Sequence, residues 1–175
     1  MITKRFANFI RVCVTKLQNG GKLKIDKLEM RKNSSIKISA QGRIVIDKLL
    51  LNENAFLCCS DHGVIEIGRD VSINRNSIIV SKESIVIGNN TSIGPNVCIY
   101  DHDHDYDESG FKKSVFKTAP VIIGENVWIG ANVTILRGSR IGNNCIIGAN
   151  TLIKGEIPES TIATSKGEIR LRPIK

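Results

Sequence analysis

Across residues 121–158 an aliphatic residue returns every six positions: Ile123, Ile129, Ile135, Ile141, Ile147 and Ile153 keep the step without a slip. Glycine follows four of them directly, at Gly124, Gly130, Gly142 and Gly148. An α-helix repeats every 3.6 residues and a strand every two, so a six-residue period means stacked, repeated coils. Each unit, such as I-G-E-N-V-W or I-G-N-N-T-S, supplies a short flat strand and a sharp corner. The aliphatic residue and the Val, Thr, Cys or Ser four places later point inward and stack in ladders. Gly and Asn at the corners tolerate backbone conformations that other residues resist. Three such units close an eighteen-residue coil of triangular section.

The same step holds upstream at Ile67, Ile73 and Ile79, and again at Ile87, Ile93 and Ile99. The eight residues between Ile79 and Ile87 predict a two-residue insertion at one corner, around 81–84. Over 22–67 shorter alternating segments (L-K-I, I-K-I, I-V-I, V-I-E-I) read as degenerate coils of irregular spacing. Ahead of them Ile2, Phe6, Phe9, Ile10, Cys13, Val14 and Leu17 recur at steps of three and four, the pattern of an amphipathic helix that Asn19-Gly20-Gly21 stops. Such a helix either caps the open end of the repeat or rests a basic face on a membrane surface. The expected organisation is a helix over 1–20, an all-β parallel β-helix over 21–160 with a loop extruded at 101–120, and a tail over 161–175.

At 175 residues, with 41% hydrophobic and 24% charged, the chain reads as one globular domain. No apolar run approaches the ~18 residues of a membrane span. The N-terminus lacks a secretory signal pattern, and five cysteines without framework spacing fit a reducing compartment. The expected localisation is therefore the cytoplasm, possible contact with the inner face of a membrane included. The net charge of +8 is uneven: residues 1–32 carry nine Lys/Arg and two Asp/Glu, whereas the rest is nearly balanced. Low aromatic content and the lack of any recognition-helix, RRM or zinc-finger pattern argue against nucleic acid as a partner.

The reactive side chains cluster in D-H-D-H-D-Y-D at 101–107, just before the regular ladder. His62, His102 and His104 are the only histidines, and His62 stands apart at a corner. Asp101, Asp103 and Asp105 flank the other two; any of them can orient an imidazole, and a solvated acidic loop fits equally. Cys58-Cys59, Cys98 and Cys145 read as packing residues, since no second cysteine pair or partnered base accompanies them.

The segment I-G-P-N-V-C-I-Y-D-H-D-H, a loop, and then V-I-I-G-E-N-V-W-I-G-A-N-V resembles the hexapeptide-repeat acyltransferases, in the group of maltose and galactoside O-acetyltransferases and polysaccharide O-acetyltransferases. The resemblance covers about 67–158. It implies a left-handed β-helix, a homotrimer with active sites between subunits, and acetyl-CoA as acetyl donor to a sugar or glycan hydroxyl. A catalytic histidine stands nine residues after the coil proline in that motif, which here is His104 after Pro95, with His102 as a neighbour shaping the pocket. I-G-R-D-V-S-I-N-R-N carries over Asn74 as an acceptor contact or oxyanion support, beside Asp101 and Asp103 as acceptor-side candidates. Trp128 is implied as a wall for the pantetheine arm or a subunit contact, and Gly130, Ala131 and Ala149 as backbone lining the cofactor. Lys154, Arg170 and Arg172 are candidates for the phosphates, although A-T-S-K-G-E-I-R at 163–170 departs from the family's usual turn. Two other readings stand beside this one: a metal site like that of γ-type carbonic anhydrases on the same fold, and a non-catalytic β-helical interaction protein. No metal is assigned to the chain's own sites.

Overall fold

The computed structural model describes residues 2–165 of the chain, which form one N-terminal helix followed by a parallel β-solenoid. Helix α1 spans Ile2–Asn19, and a short 3-10 turn at Gly20–Lys22 leads into the first coil. The strands stack on three faces. Face A holds the first half of Leu23–Met30, then the first half of Arg43–Leu51, Val64–Ile67, Ser84–Ile87, Val121–Ile123, Arg140–Ile141 and Glu156–Ile157. Face B holds the second halves of the two long strands, then Val71–Ile73, Ser92–Ile93, Trp128–Ile129, Ile146–Ile147 and Ile162–Ala163. Face C stacks Ser35–Ile38, Phe56–Cys59, Ile78–Ser81, Cys98–Tyr100, Thr134–Ile135 and Leu152–Ile153.

Register follows the aliphatic ladder. On face A Ile46, Ile67, Ile87, Ile123 and Ile141 pair in succession; on face C Leu57, Ile79, Ile99, Ile135 and Ile153 do the same. These residues are at most 3% exposed, as are the partners four places on at Val127, Val133, Ser139 and Cys145. The triangular core is thus a set of vertical apolar columns, the expected inward pattern. The eight-residue step from Ile79 to Ile87 is taken up by a bend at Lys82 and Glu83.

The corners divide their tasks between two residue types. The left-handed backbone falls mostly on asparagine, at φ 55–60° for Asn54, Asn76, Asn90, Asn96, Asn126, Asn132, Asn144 and Asn150, with Ala40, Asp61, Asp70, Ser160, Gly138 and Gly155 taking a positive φ elsewhere. Asn is among the few L-residues that visit this region readily. Their amides then bond along the stack: Asn54 to Asn76, Asn76 to Asn96, Asn96 to Asn132 and Asn132 to Asn150, each 3.0–3.2 Å. The glycines after the aliphatic residues do something else, and here the sequence expectation needs correction. Gly88, Gly124, Gly130 and Gly142 have no positive φ. They are needed because the next coil lies directly against them: a Cβ on Gly124 would sit 2.5 Å from Asn143 Oδ1 and 2.8 Å from its amide N.

Gly124→Ala should therefore destabilise the fold by about 1–3 kcal/mol, the usual cost of forcing an extra methyl into a close-packed contact. Gly155→Ala tests the contrast, because Gly155 has open space around it and a φ of 98°. Denaturant titration of both should give a loss at Gly124 from contact and at Gly155 from backbone strain, so Gly155→Asn recovers part of the second and Gly124→Asn none of the first.

Candidate functional site

The coil between faces C and A opens at Asp101 and closes at Val121, and the residues between form an antiparallel hairpin, His102–Asp107 against Gly110–Thr118. It occupies the predicted 101–120 loop as a two-stranded arm projecting from the C–A edge. Three contacts root it. The Ala119 amide donates to Asp101 O at 2.9 Å, Arg137 Nε donates to Asp103 Oδ2 at 2.7 Å, and Lys82 Nζ lies 4.1 Å over the Phe116 ring. Asp105 pairs with Lys117 at 2.6 Å further out. Lys117 and Lys112 hold the Asp105 carboxyl below the usual range, and Ser109 with Lys112 brings Asp107 down to about 2.

Asp101 is fully buried at the foot of this arm. Its carboxylate accepts from Ser81 Oγ at 2.7 Å and from the Lys82 and Glu83 amides at 2.9 Å each. It also lies 3.0 Å from His102 Nδ1. Burial pushes this carboxyl up, and the hydrogen bonds from His102, Ser81 and the two amides more than offset it, so it titrates below an ordinary aspartate. The inserted corner at Lys82–Glu83 thereby donates two amides to one carboxylate, a contact the sequence pattern did not indicate. Of the three loop aspartates, the one that orients an imidazole is Asp101, and the imidazole is that of His102.

His104 stands two residues farther out on the same strand, exposed on one side. Its Nδ1 lies 3.3 Å from the Lys112 carbonyl, and its ring sits 4.6 Å from Phe116 and 5.5 Å from Phe111. A carbonyl can only accept, so in the neutral ring the proton sits on Nδ1 and the lone pair on Nε2. Phe116 separates the two histidines, with its ring 5.6 Å from His102. Phe111, Phe116, Lys82 and Arg137 are site-shaping residues that no motif spacing marks, because the hairpin and two separate coils bring them together.

The other sequence candidates gather on a different edge. Asn74, Gly130, Ala131 and Ala149 all lie at the B–C corner, where the Asn74 amide donates to Ile93 O and the Gly130 amide to Ile147 O. Asn74 Oδ1 accepts from the Arg75 amide at 2.8 Å, and its Nδ2 makes no hydrogen bond among the described residues. Trp128 faces outward just before this corner, 59% exposed, stacked in register between Ser92 and Ile146. Gly130 is glycine for packing reasons already, since a Cβ there would lie 2.7 Å from the Ala149 amide. Ala131 and Ala149, by contrast, keep the edge bare by choice of a small side chain. Lys154 is exposed and follows face C, so it belongs to the histidine edge and not to this one. Arg170 and Arg172 lie outside the described residues. His62 is exposed at a lower C–A corner, Cys59 is buried with its thiol pushed up to about 11, and no cluster of three or more His, Cys, Asp or Glu among the described residues is arranged to hold a metal.

Comparison with known proteins places the repeat. Residues 120–155 match the family model for the bacterial transferase hexapeptide (six repeats). WbbJ of Escherichia coli K12, whose name assigns it to lipopolysaccharide biosynthesis O-acetyl transfer, is 38% identical over 113 residues, covering 57% of this chain and 56% of its own. The galactoside O-acetyltransferase of the same organism is 37% identical over 99 residues, covering 57% and 49%. This chain thus spans about half the length of the curated relatives it matches. Among solved structures, a galactoside acetyltransferase in complex with coenzyme A superposes with a TM-score of 0.57 at 26% identity, over 86% of this chain and 66% of that one. A hexapeptide-repeat acetyltransferase from Vibrio cholerae shares the fold, with a TM-score of 0.63 at 21% identity over 95% and 78%.

The Asp101 cluster makes a prediction about pH. A carboxyl whose folded pKa is depressed contributes stability fully above its unfolded value, near ~3.9, and loses that contribution as pH falls through the folded value. Asp101→Asn should cost about 2 kcal/mol at neutral pH, because an amide turns donors toward amide donors in a buried place. Chemical denaturation of both proteins should show the gap narrowing below pH 4; a gap independent of pH would contradict the charged role of Asp101.

Proposed function

We propose that this chain, whose residues 120–155 match the bacterial transferase hexapeptide model, is an acetyl-CoA-dependent O-acetyltransferase acting on a sugar or glycan hydroxyl. The observation that carries the reading is the state of His104. Its Nδ1 proton is spent on the Lys112 carbonyl, and its Nε2 is left unpartnered on the open side of an arm that leaves the solenoid. Relatives named as galactoside O-acetyltransferases, and the likeness to a solved galactoside acetyltransferase in complex with coenzyme A, support the choice of donor and acceptor class.

The chemistry follows from that tautomer. An acetyl thioester is already activated, whereas a sugar hydroxyl is a weak nucleophile at neutral pH. His104 Nε2 accepts the hydroxyl proton as the oxygen attacks the acetyl carbon. The tetrahedral oxyanion collapses with breakage of the carbon–sulfur bond, and the imidazolium returns its proton to the departing sulfur. The Lys112 carbonyl steadies the imidazolium in between. No covalent link to the protein is needed, and holding the two substrates together supplies much of the rate. Asn74 Nδ2, with no bond inside the chain, is the side-chain donor suited to the oxyanion or the acceptor.

The placement of the two candidate edges supports an assembly of several copies. His104 projects from the C–A edge and Trp128, Ala131 and Ala149 line the B–C edge, so a single chain does not bring base and donor wall together. In a homotrimer the arm of one chain reaches the B–C edge of the next, where Trp128 flanks the pantetheine arm and the bare edge at Ala131 and Ala149 admits its amides. The stripe Trp128, Ile146 and Ile162 on face B supports such a contact, since Trp128 and Ile162 are 59% and 70% exposed in the isolated chain. The proposed setting is the cytoplasm.

One alternative has a specific observation behind it. The Asp101–His102 pair, with its 3.0 Å contact, is also a base with an orienting carboxylate. Thiol release from acetyl-CoA across a panel of sugar acceptors separates the two. His104→Ala should lower kcat by about 10²–10⁴, the usual contribution of a positioned base, with KM for acetyl-CoA near wild type. Full turnover in His104→Ala together with that loss in His102→Ala would transfer the role to His102.

A further inference from the structure

The N-terminal helix is mounted the opposite way round from most surface helices. Its polar face points to the solenoid. Asn8 Oδ1 accepts from the Met30 amide at 2.6 Å, and Arg11 Nε donates to the Met30 carbonyl at 3.1 Å. Thr15 and Asn19 are buried, and Asn19 accepts from the Ile38 amide at 2.9 Å while donating to the Ile36 carbonyl at 3.3 Å. These side chains satisfy the open strand edge of the first coil, which would otherwise invite pairing with another chain. The apolar face is left in solvent: Phe6 and Phe9 are each 64% exposed, Ile10 45%, Val14 44% and Leu17 83%. The face cannot turn inward without unpairing the capped strand edge. The capping expected of this helix thus rests on its polar face, while the apolar face is exposed.

We propose that this face docks on an anionic lipid surface, with α1 lying in the plane of the headgroups. A helix with one apolar face, no acidic residue in its first turn and low overall hydrophobicity suits the interface rather than the bilayer interior, and no helix among the described residues is long and apolar enough to cross a membrane. Charge selects the partner. Residues 1–32 carry nine Lys/Arg against two Asp/Glu, while the other 143 are nearly neutral. Arg5 and Lys16 are exposed alongside the apolar face, and Lys24 and Lys27 are exposed on the coil beneath. A groove of about 940 Å³ lies under this helix and away from the histidines, with Arg5, Arg11, Lys27, Arg31, Lys32 and Lys48 on its walls against Glu29, Glu53 and Asp70. A second copy of the helix would cover the same face only by setting Arg5 and Lys16 against their own kind; phosphate headgroups neutralise them instead.

Flotation of the full chain with phosphatidylcholine vesicles, with and without phosphatidylglycerol, tests this. The chain should float with the anionic vesicles, less so as salt is raised. Phe6→Ser/Leu17→Ser should lower vesicle partitioning by about tenfold or more, from the apolar area withdrawn. Arg5→Glu/Lys16→Glu should abolish the preference for anionic lipid. Thermal unfolding of these variants should match wild type, since none of the four side chains supports the solenoid. Absence of flotation with anionic vesicles, equal flotation of the Ser variant, or a concentration-dependent self-association that the Ser variant removes would each overturn the proposal.

Discussion

Everything in this protein depends on the direct vertical contact between successive coils. Each strand is hydrogen-bonded to the strand above and below, in register, and at the corners the backbones approach until there is no room for a Cβ. That closeness dictates the sequence. It demands glycine after the aliphatic residue at Gly88, Gly124, Gly130 and Gly142, and it aligns the asparagines so that their amides bond from coil to coil. The left-handed turn and the close approach are separate requirements on neighbouring positions, met by different residues. Because the constraint is local and repeated, the fold is built one coil at a time, and each coil needs only its neighbours.

A structure so tightly repeated has little freedom on its faces, so its chemistry is displaced to its edges. The C–A edge accommodates an insertion, and the 102–118 arm is held to it by the buried Asp101 carboxylate, by Arg137 on the next coil and by Lys82 on the previous one. The arm's foot is therefore tied to three successive coils, with His102 held against the buried Asp101 and His104 exposed farther out. The B–C edge is the opposite: bare, with exposed Trp128 beside small residues. In our reading the first edge carries the base and the second receives the donor, and copies of the chain bring them together. The open end has the same logic, with polar side chains of α1 closing the strand edge and the apolar ones exposed.

The repeat was legible in the sequence because a period of six fits neither helix nor simple strand, and Ile123 through Ile153 keep it without interruption. The eight-residue step to Ile87 located the bend at Lys82 and Glu83, but not its purpose. That purpose is a contact with Asp101, nineteen residues on in the chain and one coil away in space, and no local pattern encodes it. The glycines were correctly read as corner residues and given the wrong reason, because φ and inter-coil distance leave the same mark in a sequence. Asn74, Trp128, Gly130, Ala131 and Ala149 fell on one edge, as residues sharing a coil position must. Lys154 fell on the other, since its place in the coil differs. The orientation of α1 was hidden for a simpler reason: periodicity reports that a helix has two faces and does not say which one is buried.

The central claim is that base and donor wall come from different chains. Mixed assemblies of His104→Ala and Trp128→Ala chains, unfolded together and refolded at equal ratio, test it most directly through thiol release from acetyl-CoA. In a random trimer about a quarter of the interfaces place an intact His104 against an intact Trp128. The account predicts recovery to about that fraction of wild-type turnover from two variants that are each nearly inactive alone. A mixture no more active than the average of the two variants would contradict it.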